Sequence, residues 1–338
     1  MLKNNNYNRI FQIWLITLVI LVGLIITVGG LTRLTDSGLS ITEWELFKGI
    51  FPPTSSVEWL QYFDSYKKIP QYFLLNNNMT LSEFKIIFLW EYSHRLLARI
   101  IGILFLLPFI FFLLVNILNK NLITQLRNIL VLILIQGSVG WFMVKSGLVE
   151  NTSVSHYRLA IHLIIAFSIL VSLVWILLNL LNKNEKKFFH LDKSTITIKF
   201  LLTLLFLQIV LGAFVSGLDA GKIYQTWPMM NGNYFPNDVT PYSLLDFSNP
   251  SIVQFFHRNI AYLIFFFTIY LGFNIFKKKE INLYANFLFF FLFILVQIIL
   301  GILVLISGSN IYLASMHQIS SIFLILTGVI LYYHSIKS

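Results

Sequence analysis

From Ile281 to Ile336 the sequence contains no Asp, Glu, Lys or Arg, and only the polar break Ser307-Gly308-Ser309-Asn310 divides the stretch. A soluble fold has no means of hiding so long an uncharged surface, whereas a bilayer requires one. Comparable apolar runs recur along the chain. Eight spans can be drawn, at roughly 10–31, 86–116, 126–145, 158–182, 198–218, 253–276, 281–306 and 312–334, each long enough for a hydrocarbon core of ~30 Å. Hydrophobic residues make up 57% of the 338 positions and charged residues 11%, with a mean hydropathy of +0.78. These values exclude a soluble two-domain protein and predict an all-α integral membrane protein.

The formal net charge of +10 raises the question of nucleic acid, but the basic residues form no folded patch. They sit in short loops between spans, from Lys3 and Arg9 through Lys183, Lys186, Lys187, Lys193 and Lys199 to Lys277–Lys279 and Lys337. The acids Asp36, Glu43, Glu45, Glu58, Asp64, Glu83, Glu150, Asp219, Asp238 and Asp246 gather on the other side. The positive-inside bias therefore makes both termini cytoplasmic and the long loops, about 32–85 and 219–251, periplasmic. No nucleic-acid partner is expected; the lipid bilayer is. The chain has no cysteine, which excludes disulfides, thiolate metal sites and covalent c-type haem. The first apolar run is too long for a signal peptide and ends in Gly29-Gly-Leu-Thr-Arg33 instead of a small-residue cleavage site, so an uncleaved first helix is expected. The lack of a transit-type segment favours a bacterial inner membrane.

The chain also repeats. Gln136, Gln208 and Gln297 are each followed four residues later by Gly140, Gly212 and Gly301, in the third, fifth and seventh spans. His94-Arg95 opening the second span matches His257-Arg258 opening the sixth, and His162 in the fourth span matches His317 in the eighth. The first and second histidines are 68 residues apart in one half and 60 in the other. Two pseudo-symmetric four-helix bundles follow, over 1–190 and 191–338, sharing one orientation about an axis along the membrane normal.

His94, His162, His257 and His317 occupy equivalent places, within about two turns of the outer ends of their spans. Imidazoles facing each other across a helical bundle can hold a haem by two axial ligands. A single membrane histidine is more often a packing residue; four at repeat-equivalent positions reverse that expectation. A di-iron carboxylate site is disfavoured, because Glu91-x-x-His94 has no second copy. Glu91, His94 and Arg95 fall on one helical face, an expensive set to carry into a membrane. Aligning His94 with His257 places Glu91 opposite Gln254, so only the first half keeps an ionisable acid one turn from its ligand. Such an acid can exchange protons with a reacting group; the bland alternative is a Glu91–Arg95 ion pair at the helix end. The first site therefore reads as reactive and the second as a resident electron carrier.

Other residues carry weaker signals. His156 is read either as a relay group or as a surface histidine, and His190 and His334 as bland. Arg33, Lys222 and Arg258 are candidates for pairing with haem propionates, with helix-end anchoring the alternative. Trp44 and Trp227-Pro-Met-Met230 are lid candidates, although interfacial tryptophans are expected in any case.

Taken together, Glu91-x-x-His94-Arg95, His257-Arg258 with His317, Gly29-Gly-Leu-Thr-Arg33 and Thr226-Trp-Pro-Met229 resemble the heme A synthase family over nearly the whole chain. The resemblance implies oxidation of the C8 methyl of haem O to the formyl group of haem A, destined for cytochrome oxidase, by successive hydroxylations and loss of water. It further implies that His94 and His162 ligate the substrate haem, that Glu91 is catalytic, and that His257 and His317 hold a resident haem b. The implied partners are a haem O synthase and a membrane electron acceptor or donor. The missing loop cysteines match the cysteine-free class shared by proteobacteria and mitochondria. The sequence leaves open the oxygen source and whether the chain is a homo-oligomer.

Three other classes compete. An electron-transferring di-haem cytochrome b, as in a quinol oxidoreductase, would give Glu91 no role. A secondary transporter would place its sites at the midplane beside broken helices. A haem-delivery chaperone would tolerate Glu91→Gln.

Overall fold

The structure is a computed structural model that describes residue 2 and residues 5–43, 48–150, 152–189, 195–240 and 244–336, with the side chains of 48, 149 and 150 excepted. Lys3, Trp44, Glu45, His190, Lys193, Lys337, the Glu150 side chain and the 190/191 boundary lie outside the described residues.

Among the described residues ten α-helices follow in order: α1 (Asn8–Leu34), α2 (Ser56–Tyr66), α3 (Pro70–Leu75), α4 (Leu81–Leu114), α5 (Lys120–Glu150), α6 (His156–Leu181), α7 (Ile196–Gly217), α8 (Pro250–Lys277), α9 (Ile281–Ile306) and α10 (Ile311–Ser335). All but α2 and α3 are long and apolar enough to span a membrane, so eight candidate spans stand where eight were expected. In a bilayer the backbone must satisfy its own hydrogen bonds, which is why uninterrupted apolar runs become helices. Their ends are written locally. Thr80 and Glu83 cap α4 reciprocally, and Asn249 and Asn310 accept the first free amides of α8 and α10. Left-handed residues Asp36, Asn116, Lys183, Asp219 and Lys279 terminate α1, α4, α6, α7 and α8.

Helix contacts close two rings of four. In the first, α1 touches α4 and α6, while α5 touches α4 and α6; in the second, α8 and α10 each touch both α7 and α9. The rings meet through α1–α10, α6–α7 and α6–α10. One continuous buried cluster, from Phe11 and Phe105 through Leu170 and Leu205 to Tyr333, runs through both. Between helices in lipid this is packing rather than hydrophobic drive, so shape decides how closely they approach.

The first half carries an addition. The loop expected over 32–85 contains α2 and α3, which fold over the outer ends of α4 and α5. At 34 residues α4 is about 51 Å long, well beyond the ~30 Å of a hydrocarbon core. Its overhang supplies Phe84, Ile87 and Phe88 to a second buried cluster with Leu39, Ile41, Phe63, Tyr66 and Ile69. Gln71, also buried, ties this cap together: its amide donates to the carbonyls of Asp36 (3.0 Å) and Thr152 (3.2 Å), and its Oε1 accepts from Tyr66 (3.0 Å). The overhang changes the depth of one histidine. His162, His257 and His317 lie within two turns of their helix starts, but His94 lies 13 residues into α4.

Candidate functional site

Each even-numbered span of the chain presents its histidine to a glycine of the span before it. A Cβ on Gly29 would stand 3.0 Å from the His94 ring, on Gly140 3.1 Å from His162, on Gly212 3.3 Å from His257 and on Gly301 3.2 Å from His317. The nearest atom is Nε2 for His94 and Cε1 for the others, positions that a ring flip exchanges. The Gln-x3-Gly repeat thereby acquires a meaning beyond symmetry. The glycine clears the ring, and in the second half the glutamine also grips the histidine's backbone: Gln208 Nε2 donates to His257 O at 2.9 Å, and Gln297 Nε2 to His317 O at 2.9 Å and Ser320 Oγ at 2.8 Å; Gln136 Oε1 is buried without a partner. Gly29 is the fourth member, missed in the sequence because no glutamine precedes it by four.

The His94 and His162 rings face each other with centroids 6.4 Å apart and planes at 67°. Imidazole nitrogens bind metals at about 2 Å, so two such bonds and two ring radii fill that gap. His257 and His317 are near enough to interact electrostatically. One ring nitrogen on each of His162, His257 and His317 is buried with no hydrogen-bond partner. Unpaired buried imidazole nitrogens are costly, and a metal-bound cofactor between the helices would give ring nitrogens partners there. The donor set therefore fits two haems, one per ring of helices. Among the described residues, no group of three or more His, Cys, Asp or Glu is placed to hold a bare ion.

Glu91 is 2% exposed, and every position on its carboxylate is taken. Oε1 accepts from Arg95 Nη2 (2.6 Å) and Nε (3.0 Å); Oε2 accepts from Ser40 Oγ (2.7 Å) and the Ile41 amide (2.8 Å). Arg95 Nη2 also donates to Ile41 O at 2.9 Å. The ion pair raised as the bland alternative is thus formed, and it clamps the chain after α1 onto α4. The second half repeats the clamp with other chemistry. Gln254 Nε2 donates to the carbonyls of Ala220 and Tyr224, both at 3.0 Å, and Arg258 to those of Tyr224 (2.8 Å) and Thr226 (2.9 Å). An amide suffices where the strap offers carbonyls. Where it offers a hydroxyl and an N–H, an acceptor is required. Neither Ser40 nor the Ile41 amide was a candidate in the sequence, because nothing local marks a loop residue that will meet an acid 51 positions away.

The basic residues considered for propionates are held by the protein. Arg33 reaches from α1 to the end of α7, donating to Ser216 O (2.7 Å) and pairing with Asp36 (2.8 Å) and, at 3.5 Å, Asp219. Lys222 pairs with Asp219 at 3.1 Å. His156 is packed between Phe214, 5.2 Å away, and Gly217 of α7, with Nε2 buried and unpartnered. In the second outer loop Trp227 is half-exposed and Met230 buried. His334 stacks edge-on against Tyr333 near the end of α10.

A family model described as cytochrome oxidase assembly protein, COX15-CtaA, matches residues 12–329. The chain is 49% identical to a heme A synthase of Pelagibacter ubique over 98% of both chains. It is 43% identical to one from Bradyrhizobium diazoefficiens over 92% of this chain and 87% of the relative. A third, from Bartonella henselae, is 41% identical over 94% and 89%. With its four histidines on the matched helices, the chain belongs to the COX15-CtaA family of cytochrome oxidase assembly proteins, the family of these heme A synthases.

Proposed function

We propose that this protein is a heme A synthase, an oxidoreductase that converts the C8 methyl of haem O to the formyl group of haem A. The observation that carries the reading is the His94–His162 pair, facing across 6.4 Å under a buried acid. In this reading the half formed by 1–190 holds the substrate porphyrin between His94 and His162. The half formed by 191–338 holds a resident haem b between His257 and His317. A bound haem b supplies one-electron transfer there, to or from a carrier in the membrane.

Glu91 is the acid–base group of the first site. Arg95, Ser40 and Ile41 hold its carboxylate one turn from His94, placed to take up a proton released from the substrate. Arg33, Arg95, His156 and Arg258 support the sites from their outer ends. The charge asymmetry between loops supports cytoplasmic termini and haem sites toward the periplasm, and the bacterial relatives support an inner membrane. A haem O synthase is the chemical source of the substrate.

The test is haem extraction and chromatography from cells making this protein beside a haem O synthase, with wild type, Glu91→Gln and Ser40→Ala compared. Wild type should yield haem A, Glu91→Gln should accumulate haem O or a hydroxylated intermediate, and Ser40→Ala, which keeps the acid, should retain product. Normal haem A from Glu91→Gln removes the catalytic assignment. No haem A from wild type, with two low-spin haems b copurifying, replaces the enzyme with an electron-transferring cytochrome b.

A further inference from the structure

A single dipeptide on α1 touches both halves of the protein. Gly29 faces the His94 ring; Gly30 faces α10, and the Gln318 amide lies where its Cβ would be. Gln318 directly follows His317 and donates through Nε2 to Ile26 O of α1 at 2.6 Å. Two turns earlier on α1, Gly23 lets Ile322 approach to 4.0 Å of its Cβ position, so small residues bring the two helices together. The His317 turn is consequently held from both sides, by Gln297 of α9 and through Gln318 by α1.

The repeat supplies a comparison. The residue after His162 is Leu163, and the residue after Gly212 is Ala213. Leu163 packs against the apolar cluster that contains Ala213. There the joint is apolar. At the other crossing the chain accepts an amide whose Oε1 is buried and unpartnered, a cost that leucine would avoid. What the amide supplies in return is the one hydrogen bond to α1.

We propose that Gln318 is a positioning residue: it locks the helical turn bearing His317 to the segment of α1 that covers His94, and so fixes the mutual placement of the two haem sites. The proposal rests on the haem reading above. Either site can assemble without Gln318, but a reaction that draws on both depends on it.

The test is the full-length variant Gly30→Ala/Gln318→Leu, which installs the apolar pair found at the equivalent crossing and keeps the space filled. Both haems should load as in wild type. The low-spin electron paramagnetic resonance signal of the His257–His317 haem should shift, and haem A formation should fall by about tenfold or more with KM for haem O unchanged, the scale seen when outer-shell partners of metal ligands are lost. A rate within about twofold of wild type with an unchanged low-spin signal overturns the proposal. If the double variant fails to load haem, Gln318→Asn decides: too short to reach Ile26, it must show both changes. A wild type that makes no haem A but holds two low-spin haems removes the function alone, because the signal shift still judges Gln318. A wild type with no haem at His257 and His317 removes both.

Discussion

The two four-helix rings carry the same histidine frame and differ in what closes its outer end. In the second ring α9 buries 17% of its most apolar window; its counterpart α5 buries 6%. The first ring instead gains material on the outside, where α2, α3 and the overhang of α4 form an aromatic cap; among the described residues the second outer loop places only a short 3-10 turn, Ala220–Lys222, against α8 and α9. Its clamp is ionic, Glu91 with Arg95, where the other ring uses Gln254 with Arg258. A loosely packed helix beneath a separately folded cap suits a site that exchanges a large substrate. Neutral, backbone-directed ties would suit a site that keeps its cofactor.

The clamp gives the largest effect by which this contrast can be broken. Arg95→Ala strands a buried carboxylate and should cost roughly 3–5 kcal/mol, whereas Arg258→Ala removes charged donors from two neutral carbonyls and should cost roughly 1.5–3 kcal/mol. Thermal unfolding of the two variants side by side checks the ranking; equal losses would mean that the clamps are energetically alike. Next comes the cap. Phe84, fully buried in it, should on truncation to Ala cost about 3 kcal/mol, and limited proteolysis should open the 50–80 region while haem at His257–His317 is retained. Loss of that haem as well would show that the cap stabilises both rings.

The smallest effect is a pH dependence confined to the second outer loop. Burial would raise the Asp238 carboxyl, but hydrogen bonds from Tyr224 (2.6 Å) and Ser251 (2.7 Å) prevail and hold it below its ordinary 3.8. A carboxyl depressed on folding stabilises fully above its unfolded value, and that contribution is lost as the pH falls below 3.8 through the folded one. For so exposed a group the loss should be under about 1 kcal/mol. It should vanish in Asp238→Asn, as acid denaturation midpoints of the two proteins would show.

Much of this was legible from residue order. The span boundaries were anticipated within six residues, and all four histidines fall on the helices expected, because apolar length and ligand chemistry are local properties. The cap was not legible: Phe84 read as the approach to a span and Phe88 as its first turn, and only the folded α2 and α3 show what buries them. The contrast of Glu91 with Gln254 was visible, but half of its cause was not, since the polarity of each strap depends on which backbone groups turn toward α4 or α8.

The sequence by itself determined eight helices, their ends, their charge asymmetry and the identity of four repeat-equivalent histidines, because hydropathy and capping act over a few residues. Tertiary structure decided which ring each histidine faces, which glycine clears it, and that Arg33 staples two helix ends rather than standing free. It also decided that Gln318 meets Ile26 across 292 positions. Such contacts arise from the way helices cross, and crossing is set by the fit of many small surfaces at once, which no short window of sequence contains.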